Sequence, residues 1–414
     1  MDLIHICGGY PLCGECRVQG SKNAVLPILA ATVLVDGIVT LDNCPQIADV
    51  ECMIKLLQSI GCRVCREARK ITVDACDITG SQMPESYVSR MRSSVIMMGS
   101  MLGRKRKVSI SYPGGCVIGK RPIDMHLRAF MQMGISLEEQ GNTLTACAGE
   151  LHGSEIVLPF PSVGATENVI LAAVLAEGET IIRGAAREPE IASLCKFLRC
   201  VGAKITCIED SSCIHICGVK RLHSGSFRIP PDRIVAGTYL LGCMAAGGEI
   251  HLSEVEKEPL EAVLEVIERM GGSHTCKETD IFLKAPKRPE AIPYLKTEVY
   301  PGYPTDLQSP LLAVLALADG KSCVEEDIFE NRFRVVSELG RMGADIITEK
   351  NLAVVNGVKR LRAAHVKAEE LRGGAALCLA ALAAKGETLI ENRHFIDRGY
   401  EDLERDFRSL GGRI

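Results

Sequence analysis

Two segments of the sequence, Val174-Leu-Ala-Glu-Gly-Glu-Thr-Ile-Ile182 and Leu382-Ala-Ala-Lys-Gly-Glu-Thr-Leu-Ile390, are nearly the same although they lie in different halves of the chain. Each follows an Ala/Leu-rich run and places a glycine between that run and a short segment of strand-forming residues. A glycine at such a point is typical of the residue that ends a helix before a strand begins. Both segments predict the same helix–turn–strand unit, which indicates an internal repeat.

A second set of glycines gives the length of the repeat. Each of them closes an amphipathic run and leads into a strand-like segment, and successive members are 73, 68, 69, 72 and 68 residues apart: Gly61, Gly134, Gly202, Gly271, Gly343 and Gly411. The alternative is an ordinary α/β chain, in which such junctions are common but irregularly spaced. The regular spacing favours an α/β protein of six units of roughly seventy residues, grouped as two domains of three units. Because helices such as 24–34 carry few charges on any face, we expect sheets to bury them.

The composition excludes several classes of protein. Of 414 residues, 47% are apolar and only 4% aromatic, without Trp, so the cores must be aliphatic. A net charge of −4 argues against a general nucleic-acid binder, which normally presents a strongly basic face. The first residues lack the pattern of a signal peptide, and no apolar run reaches the ~18 residues of a membrane span. The sequence therefore predicts a soluble, cytoplasmic protein.

Nineteen cysteines are scattered through apolar stretches, which favours reduced thiols that act as small hydrophobic side chains. The two C-x-x-C pairs, Cys13/Cys16 and Cys62/Cys65, are too far apart for a zinc ribbon. The first pair also lies in an alternating, strand-like run, in which the two thiols point in opposite directions. We expect no metal site, and no residue cluster calls for an organic cofactor.

Two segments in the first half of the chain carry polar and charged residues that folding alone does not require. Gly20-Ser21-Lys22-Asn23 places a cation and an amide at a helix start, where free N–H groups and the helix dipole favour an anion. The alternative is a solvated Lys22 beside a capping serine. The segment 113–124 sets Cys116 among glycines and close to Lys120 and Arg121, a cationic setting that makes a thiol more reactive. An inert flexible loop is the alternative there.

Similar residues occur in the second half. Tyr303-Pro-Thr-Asp306 precedes a small-residue helix at the position that Lys22 has in the first unit, although Asp306 could simply cap the helix. Arg332 and Arg398 lie at the predicted starts of the second helices of their units. Helix starts normally favour acidic residues, so these cations are explained best by an anion that shares the site.

The chain resembles the UDP-N-acetylglucosamine 1-carboxyvinyltransferases, a family of enolpyruvyl transferases, from about residue 3 to residue 414. Eight motifs, which occur in the order of the family, carry this resemblance. They are Ser21-Lys-Asn-Ala-Val-Leu-Pro27, Pro113-Gly-Gly-Cys116 with Gly119-Lys-Arg-Pro-Ile-Asp124, Ser162-Val-Gly-Ala-Thr166, Ala186-Arg-Glu-Pro-Glu190, Pro231-Asp-Arg233, Tyr303-Pro-Thr-Asp306, Phe329-Glu-Asn-Arg-Phe333 and Asp397-Arg-Gly-Tyr400. The cysteine-bearing loop distinguishes this family from its shikimate-pathway relative of the same fold.

The resemblance implies an inside-out α/β barrel fold, with two domains of three repeats each. Residues 21–229 would form one domain, which carries the Cys116 loop, and residues 1–20 with 230–414 would form the other. The active site would lie in the cleft between them. The implied reaction transfers the enolpyruvyl group of phosphoenolpyruvate to the 3-hydroxyl of UDP-N-acetylglucosamine and releases phosphate. It is the first committed step of peptidoglycan synthesis, which ties the protein to cell-wall formation, cell shape and cell division.

The resemblance also implies roles for individual residues. Catalysis would fall to Cys116, Asp306, Lys22 and Arg398, with Cys116 as the proton donor to C3 and the target of the covalent inhibitor fosfomycin. Phosphoenolpyruvate would bind to Lys22, Asn23, Arg121 and Arg398. The nucleotide sugar would contact Asn23, Arg92, Arg121, Pro122, Ile123, Asp124, Met125, Ser162, Val163, Gly164, Asp306 and Ile328. Three further arginines would support the cleft: Arg233, Arg332 and Arg372.

One departure from the family pattern concerns the residues before Ser162. Many members carry a lysine there, whereas this chain reads Pro159-Phe160-Pro161. Two other functions remain open: a non-catalytic UDP-sugar sensor of the same fold, and another enolpyruvyl transferase such as the shikimate-pathway enzyme. A sensor would be free to lose Lys22, Cys116, Asp306 or Arg398, and all four are present.

Overall fold

The chain forms two units of similar size in the computed structural model, which describes residues 3–114, 119, 123–208 and 211–414. The first unit contains residues 20–114 and 123–230. The second unit contains residues 3–19, 119 and 231–414. Each unit has its own aliphatic core, in which leucine, isoleucine, valine and alanine predominate.

The described residues form thirteen α-helices and twenty-two strands. The helices are α1 Lys22–Ala31, α2 Ala48–Ser59, α3 Glu85–Val88, α4 Met97–Lys105, α5 Asp124–Gln132, α6 Val163–Ala173, α7 Pro189–Cys200, α8 Arg233–Ala246, α9 Glu261–Arg269, α10 Gln308–Leu315, α11 Val335–Arg341, α12 Leu371–Ala383 and α13 Leu403–Ser409. Short 3-10 helices cover Thr32–Leu34, Arg92–Ile96, Glu258–Leu260, Thr305–Leu307, Arg332–Arg334 and Arg393–Arg398.

The strands alternate with these helices in a mixed α/β order. They are β1 Leu3–Gly8, β2 Leu12–Arg17, β3 Val35–Asp42, β4 Arg63–Glu67, β5 Lys70–Asp74, β6 Lys107–Ser111, β7 Ser136–Gln140, β8 Thr143–Cys147, β9 Glu155–Val157, β10 Glu179–Arg183, β11 Lys204–Cys207, β12 Cys213–Cys217, β13 Leu222–Arg228, β14 Gly248–Ser253, β15 Ser273–Lys277, β16 Asp280–Lys284, β17 Leu295–Thr297, β18 Lys321–Glu326, β19 Asp345–Glu349, β20 Leu352–Asn356, β21 His365–Lys367 and β22 Gly386–Glu391.

Among the described residues, each unit contains three sheets, two of four strands and one of three, and the four-stranded sheets share one topology. In β9–α6–β10, β17–α10–β18 and β21–α12–β22, a helix connects two parallel neighbours, as a parallel pair requires. A second helix and an antiparallel hairpin then complete a four-stranded sheet, as in the order β11-β12-β10-β9. In the first unit, β13 completes one sheet by pairing with β3. The second unit takes β1 and β2 from the N-terminus, which pair with β22 and β14.

The first helix of each repeat is buried along most of its length. In α1, every residue except Asn23 is buried, and the following 3-10 turn to Leu34 is buried as well. In the second unit, α8, α10 and α12 pack against one another. These helices consist of small and aliphatic residues, so no face requires contact with water. Residues 24–34 are buried as predicted, the first eight in α1 and the last three in the 3-10 turn. The main contacts of α1 are with the helices α2 and α7, so the expectation that sheets bury it does not hold for this helix.

The six glycines that gave the repeat length all occupy the same structural position. Each stands two residues beyond the end of a helix and has φ between +80° and +104°. After α7, the Gly202 N–H donates to the Arg199 carbonyl at 3.0 Å and the Ala203 N–H to the Leu198 carbonyl at 2.9 Å. The same pair of bonds closes α2, α5, α9, α11 and α13. This glycine-based helix end is a Schellman motif, and its sixfold occurrence confirms the repeat.

The cysteines in the part of the chain that the structure describes are all free thiols. Cys13 is exposed and Cys16 is buried, so the two residues occupy opposite faces of β2, as predicted. Among the same residues, no group of three or more His, Cys, Asp or Glu side chains is arranged to hold a metal ion. None of the described helices combines the length and the apolar character that a membrane span needs.

Replacement of a capping glycine should separate backbone strain from loss of packing. A Cβ at Gly134 would meet no neighbour within 4 Å, yet φ is +80°. We expect Gly134→Ala to lower the free energy of unfolding by about 1–2 kcal/mol, because alanine must adopt a left-handed conformation. Gly134→Asn should lose less, since asparagine tolerates this region. Thermal unfolding should show a shift of roughly 2–4 °C per kcal/mol.

Gly149→Ala is the matched control, because Gly149 also has free space around it but lacks a positive φ. We expect that change to leave the unfolding midpoint within ~1 °C of the wild type. Equal effects of alanine and asparagine at position 134 would contradict the role of the left-handed cap.

Candidate functional site

Lys22 is the first residue of α1 and forms a buried ion pair. Ser21 caps the helix, and its Oγ accepts a hydrogen bond from the Ala24 N–H at 3.3 Å. The Lys22 side chain is only 10% exposed, and its Nζ lies 2.7 Å from Oδ2 of Asp49, in the first turn of α2. The interpretation of Lys22 as a solvated lysine is therefore wrong. Since burying two charges is costly for a pure scaffold, the pair favours a functional role for this cation.

Two predicted sugar-nucleotide segments lie next to each other in the first unit. Ser162 caps α6, where its Oγ accepts from the Ala165 N–H at 3.3 Å, and Val163 and Gly164 form the first turn. Ile123 directly precedes α5, and Asp124 and Met125 are the first two residues of that helix, followed by His126. A Cβ at Gly164 would lie 3.0 Å from Cε1 of His126. The small residue thus allows the start of α6 to approach α5 closely.

Asn168 connects this region through three hydrogen bonds. Its Oδ1 accepts from the Gly99 N–H of α4 at 2.7 Å, which identifies the other amide atom as the nitrogen donor. Its Nδ2 donates to the Val95 carbonyl at 3.1 Å and lies 2.7 Å from Nδ1 of His126. Because the amide nitrogen is the donor, Nδ1 of the buried His126 accepts. A neutral His126 then carries its proton on Nε2.

Arg92 begins a 3-10 helix in the same unit. Its Nη1 donates to the Pro113 carbonyl at 3.3 Å, so it contacts the segment that leads toward the predicted reactive loop. Three predicted site residues, Cys116, Arg121 and Pro122, lie outside the described residues, as does Lys120.

Asp306 has two buried arginine partners in the second unit. Its Oδ1 accepts a hydrogen bond from Nη2 of Arg332, and its Oδ2 accepts one from Nη2 of Arg372 at 2.9 Å. The two arginine side chains are only 3% and 4% exposed, whereas that of Asp306 is 25% exposed. Asp306 lies inside the 3-10 turn that precedes α10 and does not cap it. The interpretation of this residue as a helix cap is therefore wrong.

Electrostatics fix the charges of this cluster. Burial lowers the pKa of Arg372, but the nearby acidic groups Asp306, Tyr400 and Asp232 together more than offset this, and the pKa is raised on balance. The guanidinium of Arg372 lies over the Tyr400 ring, and that of Arg332 over the Phe329 ring. Nη1 of Arg332 also lies 3.6 Å from Oε2 of Glu370, which caps α12. The arginines therefore remain charged and are held in place on several sides.

Glu326 positions the remaining predicted residue of this cluster, Ile328. One carboxylate oxygen of Glu326 accepts from the Ile328 and Phe329 N–H groups at 2.7 and 3.0 Å. The other accepts from Oγ1 of Thr305 at 2.8 Å, and Thr305 Oγ1 in turn accepts from Nε of Arg332 at 3.2 Å. A single buried carboxylate thus joins the loop of Ile328 to the turn that carries Asp306.

Two other predicted arginines lie at the ends of helices in the second unit. Arg233 begins α8, directly after the capping residue Asp232, and lies over the Tyr300 ring at 5.6 Å. Arg398 is half-buried at the end of the 3-10 helix Arg393–Arg398. Its predicted place at the start of the second helix is only approximate, since α13 begins five residues later, at Leu403.

Sequence reasoning missed several acidic and amide residues of these clusters. Asp49, Asn168 and Glu370 all make the buried contacts described above. Glu167, also missed, is only 3% exposed, and burial together with Glu190 and Glu188 raises its pKa well above the usual range. One signal was available: Thr166-Glu-Asn168 interrupts an otherwise apolar helix.

A surface depression of about 360 Å³ lies away from all of these residues. It borders β6 and contains none of the predicted site residues; its lining consists of Gln82, Met83, Pro84, Glu85, Ser109, Ile110, Ser111 and Thr143. The cluster around Asp306 in the second unit and the cluster around α1, α5 and α6 in the first unit therefore remain the candidate functional regions.

Comparison with protein families and curated sequences gives full-length matches. The family described as EPSP synthase (3-phosphoshikimate 1-carboxyvinyltransferase) matches residues 6–407. A UDP-N-acetylglucosamine 1-carboxyvinyltransferase 2 of Caldanaerobacter subterraneus is 45% identical over 414 residues, covering 100% of this chain and 99% of that protein. A UDP-N-acetylglucosamine 1-carboxyvinyltransferase of Cellvibrio japonicus is 44% identical over 417 residues, with the same coverage.

Two solved structures share the fold. The enolpyruvyl transferase NikO from Streptomyces tendae superposes with a TM-score of 0.91 at 22% identity, over 99% of this chain and 98% of that one. An EPSP synthase from Acinetobacter baumannii superposes with a TM-score of 0.76 at 18% identity, with the same coverage. These similarities confirm the predicted enolpyruvyl transferase-like α/β fold.

Loss of the Asp49 carboxylate should break the buried ion pair with Lys22. We expect Asp49→Asn to lower the free energy of unfolding by about 3 kcal/mol, because the buried Lys22 charge then loses the attraction of that carboxylate. Lys22→Met combined with Asp49→Asn should recover part of this loss. Glu155→Gln breaks an exposed pair with Arg183 in the same unit, and should cost under ~1 kcal/mol. Urea unfolding of the wild type and of the three variants measures these differences. Similar losses of unfolding free energy in Asp49→Asn and Glu155→Gln would contradict a buried ion pair.

Glu167 should make stability fall as the pH rises. Its folded-state pKa is raised by burial, first of all, and by Glu190 and Glu188. Between the unfolded-state pKa of about 4.3 and the raised folded-state pKa, the folded protein holds one more proton. The contribution of Glu167 to the free energy of unfolding is therefore fully present below pH ~4.3. Above that pH the free energy of unfolding falls by up to about 1.4 kcal/mol per pH unit, until the folded-state pKa is reached.

Glu167→Gln should remove this loss, so the free energies of unfolding of variant and wild type should diverge from pH 5 to pH 8 in favour of the variant. The exposed Glu67→Gln serves as the control, with a pH profile parallel to the wild type. Urea unfolding across this range is the measurement. A Glu167→Gln profile parallel to the wild type would show that the glutamate is ionised in the folded protein.

Proposed function

The chain belongs to the UDP-N-acetylglucosamine 1-carboxyvinyltransferase family of enolpyruvyl transferases, and we propose that it transfers the enolpyruvyl group of phosphoenolpyruvate to the 3-hydroxyl of UDP-N-acetylglucosamine. The observation that carries the proposal is the 45% identity to a protein of that name over the whole chain. The product would enter peptidoglycan synthesis. The shikimate-pathway reaction is disfavoured, because the similarity to a solved EPSP synthase is only 18% in sequence.

The proposed reaction is an addition followed by an elimination. The thiol of Cys116 would protonate C3 of phosphoenolpyruvate, which leaves C2 electrophilic. The sugar 3-hydroxyl oxygen would then bond to C2, while Asp306 receives the hydroxyl proton. Loss of a C3 proton and of phosphate from the tetrahedral intermediate would give the enolpyruvyl ether.

The surroundings of Asp306 are compatible with this role. Each carboxylate oxygen accepts a hydrogen bond from an arginine. The side chain is 25% exposed, so a substrate can reach it. Because Arg332 and Arg372 are buried and charged, they would hold the carboxylate in one orientation and stabilise negative charge on the substrate.

The substrates carry several negative charges, which the proposed binding groups match. Lys22, Asn23, Arg121 and Arg398 would hold the phosphate and carboxylate of phosphoenolpyruvate. The nucleotide sugar would contact the starts of α5 and α6, where Ile123–Met125 and Ser162–Gly164 lie close together, and also Arg92 and Ile328. Phe160, which replaces the lysine of many relatives, is 43% exposed and supplies no charge. We expect this change to affect the affinity for the nucleotide sugar rather than the chemistry.

The proposal includes the two-domain division of residues 21–229 from residues 1–20 with 230–414, with side chains of both acting on the same substrates. It also includes covalent inhibition by fosfomycin, a cytoplasmic location, and a contribution to cell shape and division through the cell wall. Support for these points comes from the family resemblance.

Release of phosphate from phosphoenolpyruvate tests the reaction directly. We expect release only when UDP-N-acetylglucosamine is present, with one phosphate formed per enolpyruvyl ether, because the sugar hydroxyl is the attacking group. Asp306→Asn should abolish turnover. Activity with shikimate 3-phosphate in place of the nucleotide sugar would support the other transferase, and nucleotide-sugar binding without phosphate release would support the sensor.

Fosfomycin tests the reactive thiol. We expect one adduct, on Cys116, when the protein is incubated with the inhibitor and UDP-N-acetylglucosamine, because the neighbouring Lys120 and Arg121 favour the thiolate and attract the phosphonate. Mass spectrometry of peptides locates the adduct, and the exposed Cys13 and Cys65 serve as internal controls. Comparable labelling of these controls, or continued labelling of Cys116→Ser, would contradict an activated loop thiol.

A further inference from the structure

Glu326 is a buried carboxylate to which the proposed reaction assigns no role. It is the last residue of β18 and is only 2% exposed, and its backbone N–H donates to the Asn351 carbonyl at 2.8 Å. Both side-chain oxygens face hydrogen-bond donors: Oε1 accepts from two backbone N–H groups, and Oε2 accepts from a hydroxyl. The end of this strand therefore presents a fixed acceptor between two segments that carry proposed substrate contacts.

The hydrogen bonds that connect Glu326 to Asp306 have one fixed direction. An arginine can only donate, so Nε of Arg332 donates to Oγ1 of Thr305 at 3.2 Å. Thr305 has a single hydroxyl proton, which it donates to Oε2 of Glu326 at 2.8 Å. Nη2 of Arg332 in turn donates to Oδ1 of Asp306. The Glu326 carboxylate thus orients the Thr305 hydroxyl as an acceptor for the arginine that holds Asp306.

The other oxygen of Glu326 holds the Ile328 loop, residues 327–331, which follows β18. The N–H groups of Ile328 and Phe329 both donate to Oε1, at 2.7 and 3.0 Å. The Arg332 guanidinium lies over the Phe329 ring, 5.1 Å from its centroid. Ile328 is a proposed contact of the nucleotide sugar, and Asp306 is the proposed acceptor of its hydroxyl proton. One side chain therefore connects the two groups that would meet the sugar in this unit.

We propose that Glu326 and Thr305 are positioning residues of the transferase, which hold the Asp306 carboxylate and the Ile328 loop in the orientation that the sugar hydroxyl meets. The inference rests on the proposed function, in which Asp306 receives the proton of that hydroxyl. Because Glu326 is buried, it acts through its hydrogen-bond partners and not on the substrate. A carboxylate that could rotate would face the hydroxyl only part of the time, and small misplacements of a reacting group lower the rate strongly.

Substitutions at Thr305 test the connection to Asp306 alone. Thr305→Val keeps the shape of the side chain but removes the acceptor of Arg332 Nε, and it leaves the bonds from Glu326 to the loop in place. We expect kcat to fall about tenfold while the KM for UDP-N-acetylglucosamine stays within about twofold of the wild type, because only the orientation of the proton acceptor is lost. Thr305→Ser retains the hydroxyl and should keep kcat within about twofold of the wild type. An unchanged kcat in Thr305→Val, or equal losses in both variants, would overturn the proposal.

Glu326→Gln acts on both connections. The amide keeps one oxygen for the two loop N–H groups but turns a donor toward Thr305, so the hydroxyl proton loses its acceptor and the loop loses a charged one. We expect kcat to fall at least as far as in Thr305→Val, and the dissociation constant of UDP-N-acetylglucosamine, from titration calorimetry, to rise about tenfold. Glu325→Gln is the matched control, since the preceding residue points to the opposite face of β18 and pairs with Lys296 at 2.7 Å. It should change neither constant, and wild-type constants in Glu326→Gln would overturn the proposal.

The wild type distinguishes failure of this inference from failure of the proposed function. Wild-type protein that releases no phosphate contradicts the transferase reaction, whereas active wild type with unaltered variants contradicts only the positioning role. Amide hydrogen exchange needs no substrate: residues 327–331 should exchange about tenfold faster in Glu326→Gln than in the wild type, and at the wild-type rate in Glu325→Gln. Equal exchange in all three proteins would show that Glu326 does not hold the loop. Thr305→Val decides the question if Glu326→Gln does not fold, because it removes no buried charge.

Discussion

Burial of the first helix in each repeat is the constraint on which the other features depend. Helices such as α1 and α12 consist mainly of small and aliphatic residues and are enclosed on nearly all sides, so a polar side chain along their length needs a buried partner, as Asn168 has in α6. A side chain that must meet a substrate is therefore placed more easily at a helix end. The candidate residues follow this rule: Lys22, Gly164, Arg233 and Arg372 all lie in the first turn of such a helix. Helix starts also present free N–H groups, which suits the anionic substrates of the proposed reaction.

The buried charges are arranged differently in the two units. Lys22 forms an ion pair with the Asp49 carboxylate at 2.7 Å. Asp306 accepts from the guanidinium groups of Arg332 and Arg372, and the formal charges of these three groups and of Glu370 sum to zero. Because desolvation offsets much of the attraction within such clusters, their main effect is to fix orientation. A fixed orientation matters for a group that must face one hydroxyl or one phosphate during a reaction.

The repeat could be read from the sequence because its signal is local. A glycine two residues beyond a helix end needs only its own backbone conformation, and that conformation recurs at Gly61 and at its five counterparts. The partners of charged residues could not be read in this way. Asp49 is 27 residues from Lys22, and Arg372 is 66 residues from Asp306. Such pairs depend on which repeats are neighbours, so the local patterns suggested a solvated lysine and a helix cap, and both interpretations were wrong. Glu167 and Asn168 needed the same long-range information, although their place in an apolar helix was a visible signal.

The strands at the N-terminus have a consequence for how the protein is made. β1 and β2 are synthesised before their partners β22 and β14, which lie at residues 386–391 and 248–253. Apart from the segment around residue 119, the first unit runs from residue 20 to residue 230 and can fold while the ribosome is still extending the chain. The second unit cannot complete the sheet of β1 until residue 391 has emerged, and until then β1 exposes an unpaired edge. β1 can therefore pair only after β22, the last of the described strands, has been synthesised.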